Sequence, residues 1–292
     1  MTNGSSRSEL IEQVDARWAE FLRALDAVPP DTWDMPGVCG YWSVGELVAH
    51  ITYCDAFVPE YVQRSRLGVP LPPGGTDEEI DAENQEAAAA SRFVSNNQLL
   101  RTLHMTHDQT ARSLRDLDET VPTELRARIV GETSNHYPGH ITQLQAWSAA
   151  LQSPGTSYAA IVAGTLAMAE ALAPERRDQP GVVDDWSARD LLTHLAYWDG
   201  IRILRLDVQA GRRDKMPAFV GDLDAINQQA MINAAQQSWD EVVAGAHETA
   251  GKLSRLLETE SESAFSPQIA EHWLEHVNDL RSALYDGLAH DH

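Results

Sequence analysis

Six of the eleven histidines in this chain of 292 residues are spaced so that three of them suit one metal ion and three another. His136 and His140 are four residues apart, as are His272 and His276. On a helix that spacing sets two imidazoles on one face, a single turn from each other. A third histidine, His50 for the first pair and His194 for the second, lies in a segment that recurs along the chain. Three neutral imidazoles leave a fourth coordination position open, the arrangement of a catalytic zinc ion. Nickel, iron and manganese accept the same donors. The expectation is one divalent cation per triad, zinc first among them.

The recurrence carries more weight than the spacing. Residues 34–55 read DMPGVCGYWSVGELVAHITYCD, and residues 178–199 read DQPGVVDDWSARDLLTHLAYWD. At a constant offset of 144 they share Pro-Gly-Val, Trp42-Ser43 with Trp186-Ser187, Leu47 with Leu191, His50 with His194, Tyr53 with Tyr197 and Asp55 with Asp199. The later pairs match at an offset of 136, as His-Tyr-Pro-Gly-His against His-Trp-Leu-Glu-His. Around them little else agrees beyond Leu144 with Leu280, yet both histidines persist. Such self-similarity is the mark of a duplicated module. It predicts two domains, residues 1–153 and 154–292.

To bring its three histidines together, each module must fold so that their segments pack. The patterning predicts an all-α fold, with each half a four-helix bundle. Leu10, Ile11, Val14, Trp18, Phe21, Leu22 and Leu25 recur at helical spacing over a first helix from Ser8 to Val28, stopped by Pro29-Pro30. Ser43 begins helix 2, with Glu46 at the reciprocal capping position; Ser187 and Asp190 repeat the device. Helix 3 is expected over 77–117, with a break near Ser95, and helix 4 over 122–151. Pro138, between His136 and His140, is expected to kink helix 4, whereas Leu274 leaves the second copy straighter. No segment alternates with period two, and no hairpin turn separates candidate strands.

Other side chains receive smaller roles. Cys54, four residues after His50, is a fourth ligand, a reactive thiol or, as favoured here, a buried inert cysteine; Trp198 stands at the corresponding place. Asp55 and Asp199 either accept an N–H from a ligand histidine or serve as caps and solvated surface groups. Tyr53, Tyr137, Tyr197 and Trp273 read as core before pocket. His104, His107 and His247 read as surface residues, and His290 and His292 as a frayed tail. Glu46, Glu132 and Asp55 are the candidate general bases.

Charge narrows the partners. With 22 Lys+Arg against 44 Asp+Glu the formal net charge is −22, divided equally between the halves. The densest basic cluster, Arg212, Arg213 and Lys215, shares its loop with Asp214. Nucleic acid and anionic membrane surfaces are therefore excluded as partners. The N-terminus has no apolar secretory segment, and Tyr158 to Ala173 is too short to span a bilayer. Two cysteines make no disulfide framework, so a cytoplasmic location is expected.

The Trp-Ser-x-x-[Glu/Asp]-Leu-x-x-His segment followed by His-x-x-x-His resembles the DinB-like superfamily of four-helix bundles, and both halves carry the resemblance. That group includes metal-dependent hydrolases and thiol-dependent S-transferases and isomerases that use mycothiol or bacillithiol. The resemblance implies that His50, His136 and His140, and likewise His194, His272 and His276, are metal ligands. Family members pair as dimers, which implies either a monomer whose halves form an intrachain pseudo-dimer or a homodimer. It leaves three functional readings for a small-molecule substrate or ligand: a hydrolase, an S-transferase using a low-molecular-weight thiol, or a non-catalytic binding or resistance protein whose metal is structural or absent.

Overall fold

The computed structural model describes residues 6–218, 222–259 and 266–288, so His290 and His292 lie outside the described residues. The chain divides into two compact units: residues 1–34 with 42–148, and residues 35–41 with 149–292. Among the described residues the regular structure is helical, with no strand. No described helix is long and apolar enough to cross a membrane.

The first unit contains α1 (Arg7–Asp26), α2 (Val44–Asp55), α3 (Phe57–Arg66), α4 (Asp77–Ser91), α5 (Asn96–Arg115), α6 (Thr123–Glu132) and α7 (Tyr137–Ala150). Local capping sets where the key helices begin. Ser43 accepts from the Glu46 amide at 3.3 Å while the Glu46 carboxylate accepts from the Ser43 amide at 2.7 Å. Two otherwise orphaned N–H groups are satisfied, and such a cap stabilises its helix by about 1 kcal/mol. Ser6 with Glu9 and Thr76 with Glu79 cap α1 and α4 in the same way. Leu10 and Val14 of α1, Val58 and Val62 of α3, Leu114 of α5, and Leu125 and Ile129 of α6 close into one buried cluster. α2 packs on α4 and α5, with α3 against α5 and α6.

The second unit contains α8 (Pro154–Glu170), α9 (Ala188–Gln209), α10 (Leu223–Ala234), α11 (Trp239–Thr259) and α12 (Ser266–Leu288). Its bundle is α8, α9, α11 and α12, and α10 lies along α9. Ser187 and Asp190 form the reciprocal cap of α9. Residues 35–41 join this unit, where the Pro36–Gly37 backbone lies so close to Gly164 of α8 that an added Cβ would stand 2.6 Å from it. Only glycine fits there.

Two elements differ from expectation and one agrees with it. Helix 2 of the first unit is two helices, α2 and α3, divided at Ala56, whereas α9 runs unbroken for 22 residues. Helix 3 separates into α4 and α5 at the expected break near Ser95, whose extended backbone precedes α5. Helix 4 does not kink at Pro138. The chain leaves α6 after Glu132, turns through residues 133–136 with Thr133 at φ −123° and ψ −98°, and re-enters helix at Tyr137. Pro138 therefore occupies the first turn of α7, where an absent N–H costs no helix bond. α12 continues straight through His272 and His276.

Candidate metal centres

His50 lies on α2, two turns from its Ser43 cap, and is buried. His136 is the last residue of the 133–136 turn, and His140 is in the first turn of α7. The turn keeps both rings pointed at α2: His136 Nε2 stands 2.9 Å from His50 Nε2 and 2.9 Å from His140 Nε2. In the second unit His194 of α9 meets His272 of α12 at 2.9 Å between Nε2 atoms, with His276 one turn on. In each triad the potential ligand atoms all lie within 4.8 Å of one another. All six histidines expected from the sequence thus assemble, three and three.

The opposite edges of the rings set their tautomers. In the second unit Trp198 Nε1, a donor only, gives its hydrogen to Asn227 Oδ1 at 2.9 Å, which fixes that amide oxygen as the atom facing His194 Nδ1 at 3.2 Å. His194 must then carry its proton on Nδ1. His276 Nδ1 faces the Asp279 carboxylate at 3.2 Å, an acceptor only when ionised, so this nitrogen carries the hydrogen of the bond. The His194 ring presents a bare Nε2 lone pair to the centre. In the first unit Gln143 Oε1 lies 2.8 Å from His140 Nδ1, and the Asn84 side chain acts on the His50 ring, raising its pKa against the larger effect of burial. The Glu132 carbonyl faces His136 beyond hydrogen-bond geometry. Three ring nitrogens within 4.8 Å of one another make a donor set that fits a divalent metal.

Electrostatics keep His50, His136, His140, His194 and His272 neutral. Burial, then the neighbouring imidazoles His136 and His140, lowers the His50 pKa to about 3. Burial and His140 bring His136 to about 4, and burial lowers His140 as well. His194 falls to about 4 through burial and His276, and His272 to about 3 through burial and the Arg202 charge. Neutral imidazole is the form that binds metal. Trp42 and Trp186, from the Trp-Ser segments, wall one side of the first histidine of each triad, with ring centroids 5.2 Å from His50 and 4.9 Å from His194.

Behind each triad lies a buried carboxylate. Asp55 accepts from the Tyr137 hydroxyl at 2.5 Å and faces His107 Nδ1 at 3.0 Å, and its backbone oxygen accepts from Thr110. Asp199 accepts from Tyr158, from Trp273 Nε1 at 2.9 Å and from Arg202 at 2.7 Å. Neither aspartate is a solvated cap or bonded to a triad histidine. Both are interior anchors, and burial raises the Asp199 pKa. His107 is likewise no surface residue. It is buried and stacked on Trp18 at 3.8 Å between ring centroids, because α5 brings it to Asp55. His104 and His247 are exposed. Tyr137 and Trp273 are core, whereas Tyr53 and Tyr197 are half-buried; Tyr53 donates to Glu83, and its pKa is pushed up to about 12 by burial and that bond.

Cys54 is buried, its Sγ 4.0 Å from both ring nitrogens of His50, and burial raises its thiol pKa beyond the reactive range. Of the candidate bases, Glu46 is spent on the α2 cap. Glu132 is half-buried, accepts from the Tyr61 hydroxyl at 3.1 Å, and has its pKa raised by burial; its charge is felt at Cys54. The asparagines behind the triads were absent from the sequence reading. Their signal was present: Asp81-Ala82-Glu83-Asn84-Gln85 against Asp224-Ala225-Ile226-Asn227-Gln228.

Residues 13–150 match the sequence profile of the DinB superfamily. No curated protein and no solved structure matches the chain.

Proposed function

We propose, for a chain that belongs to the DinB superfamily through residues 13–150, that it is a metal-dependent hydrolase of a small molecule, with one divalent cation held by His50, His136 and His140 and a second by His194, His272 and His276. The observation that carries the metal is the gathering of three ring nitrogens within 4.8 Å of one another in each unit, with the bare Nε2 of His194 2.9 Å from His272 Nε2. A divalent cation would supply Lewis-acid polarisation and water acidified to near neutrality.

The chain's own residues do the rest. Asn84 and Gln143 orient His50 and His140, and the Trp42 ring shields one side of His50 from solvent. Glu132, held by Tyr61, is the carboxylate available to take a proton beside the first triad. Its raised pKa suits a base working near neutral pH. Hydrolysis is preferred to thiol transfer on charge. The groups felt at Cys54 beside this triad are Glu132, Asp55 and Glu83, and the nearby Arg128 is committed to the Pro72 carbonyl. An acidic low-molecular-weight thiol would need free arginines for its carboxylates.

Metal analysis of the purified protein tests the reading. Wild type is expected to carry close to two ions per chain, and a His140→Ala, His276→Ala double variant none. Equal, negligible metal in both would sink it. A tight small-molecule ligand without turnover in the metal-loaded protein would favour a binding protein instead.

A further inference from the structure

Away from the triads, the second unit has a cleft of about 180 Å³. One wall holds Arg176, the last residue of a 3₁₀ turn at Pro174–Arg176, and Pro180 of the loop that leads toward α9. The other wall is α12, through Asp279, Ser282, Ala283 and Asp286. A space of that size suits a small metabolite, below the pockets of about 300–1,000 Å³ that take drug-sized ligands.

Both walls are charged. Arg176 is half-buried and makes no ion pair among the described residues, in a chain with 44 acids to 22 bases. A guanidinium lining a cleft without an acid of its own suits a carboxylate from solution, which it can hold by two parallel bonds. On α12, Asp279 and Asp286 lie seven residues apart, hence about 10 Å along the helix. Asp279 uses Oδ2 on His276 Nδ1, and its Oδ1 makes no hydrogen bond among the described residues. One positive and two negative groups match a small amino acid with a second amino group: its carboxylate on Arg176, one ammonium on each aspartate.

The first unit has none of these charges. At the offsets of 144 and 136 that relate the halves, Arg176 corresponds to Thr32, Asp279 to Gln143 and Asp286 to Ala150. Ala283 corresponds to Trp147, whose indole is buried. The single methyl of Ala283 leaves room where the first unit places a ring. The bundle folds without the charges, so the scaffold does not demand them.

We propose that this cleft binds a small diamino carboxylic acid, and that Asp279, shared with His276, links its occupancy to the second triad. Binding stands without metal; only the link rests on the metal reading above. An ammonium on Oδ1 draws charge from the carboxylate and weakens its hold on the His276 ring, so ligand and cation oppose each other. The probe is L-lysine, titrated calorimetrically into the full-length, chelator-treated protein. Beside it are run cadaverine, which lacks the carboxylate, and 6-aminohexanoate, which lacks the α-amino group. Saturable lysine binding is expected, weakened about 10- to 100-fold by Arg176→Ala and by Asp286→Ala, neither of them a core position. Ala283→Trp is expected to abolish it, and both analogues to bind more weakly than lysine. No saturable binding to wild type, an analogue as tight as lysine, or charge variants as tight as wild type would overturn the site. In His140→Ala, which keeps the second triad, saturating lysine is expected to lower metal affinity by up to about 10-fold in competition with a chromophoric chelator. Unchanged affinity with lysine bound overturns the link. A protein that binds lysine but no metal overturns the metal reading, and the link with it, while the site stands.

Discussion

The Tyr137 hydroxyl donates to Asp55 Oδ1 at 2.5 Å inside the first unit. In the second unit Trp273 Nε1 donates to Asp199 Oδ2 at 2.9 Å. Tyr137 directly follows His136, and Trp273 directly follows His272. Each aspartate lies five residues beyond the triad histidine of its own helix. One buried carboxylate therefore fixes the distance between the two helices that must supply ligands to one centre. The donor changes from phenol to indole while the anchor stays.

Replacing that anchor should be costly. Asp55→Ala strands the Tyr137 hydroxyl and the His107 ring in the interior, and a destabilisation of about 2–4 kcal/mol is expected. Urea unfolding of the metal-free protein measures it. A loss within error of zero would mean that Asp55 anchors nothing.

The buried imidazoles give the metal-free protein a specific pH response. His50 and His272 have pKa values near 3, and His136 and His194 near 4, all depressed first by burial from 6.5. Well above pH 6.5 the folded and unfolded chains bind equal numbers of protons at these groups. Below it the unfolded chain takes up protons that the folded chain refuses, so stability falls as pH drops from 6.5 toward 4. The urea midpoint in the presence of a chelator should be lower at pH 5.0 than at pH 7.5. Added metal should widen that difference, because protons compete with it for the same nitrogens. A midpoint that rises on acidification would contradict the neutral-ligand picture.

The partners on the far edges of the rings should show in metal affinity. Asp279→Ala removes the carboxylate that holds His276 Nδ1 and is expected to weaken the second site by about 10- to 100-fold. Gln143→Ala removes a neutral partner of His140, and a smaller loss is expected at the first site. Competition with a chromophoric chelator resolves the two. The reverse ranking would show that charge on the far edge is not what tunes the donor.

Glu132→Gln keeps the side-chain shape and its bond from Tyr61 but removes the basic oxygen. Ester hydrolysis by the metal-loaded protein is expected to fall by about 10²- to 10⁴-fold with metal content unchanged. Full activity in this variant would assign the proton to another group.

The helix starts that position the site are legible in sequence because they are local. Ser43 with Glu46, and Ser187 with Asp190, fix the phase of α2 and α9, and so the side on which His50 and His194 project. The turn at residues 133–136 was harder to see. Thr133-Ser134-Asn135 is a stretch of turn formers, but the helical spacing of His136 and His140 spans its end and suggests continuous helix. Asn84 and Asn227 escaped because their segments match at an offset of 143, between the two offsets that the histidines define. His107 had no signal at all. The second unit neutralises Asp199 with Arg202 from the same helix, whereas the first reaches across to α5, so comparing the halves could not reveal it.

The placement of residues 35–41 has a practical side. A gene cut once at the 148/149 boundary yields a downstream fragment that lacks the strip lying over Gly164, leaving exposed a notch that no side chain of α8 can fill. Separating the bundles for individual study therefore calls for grafting that heptapeptide onto the downstream piece and closing the upstream one with a linker from Asp34 to Trp42.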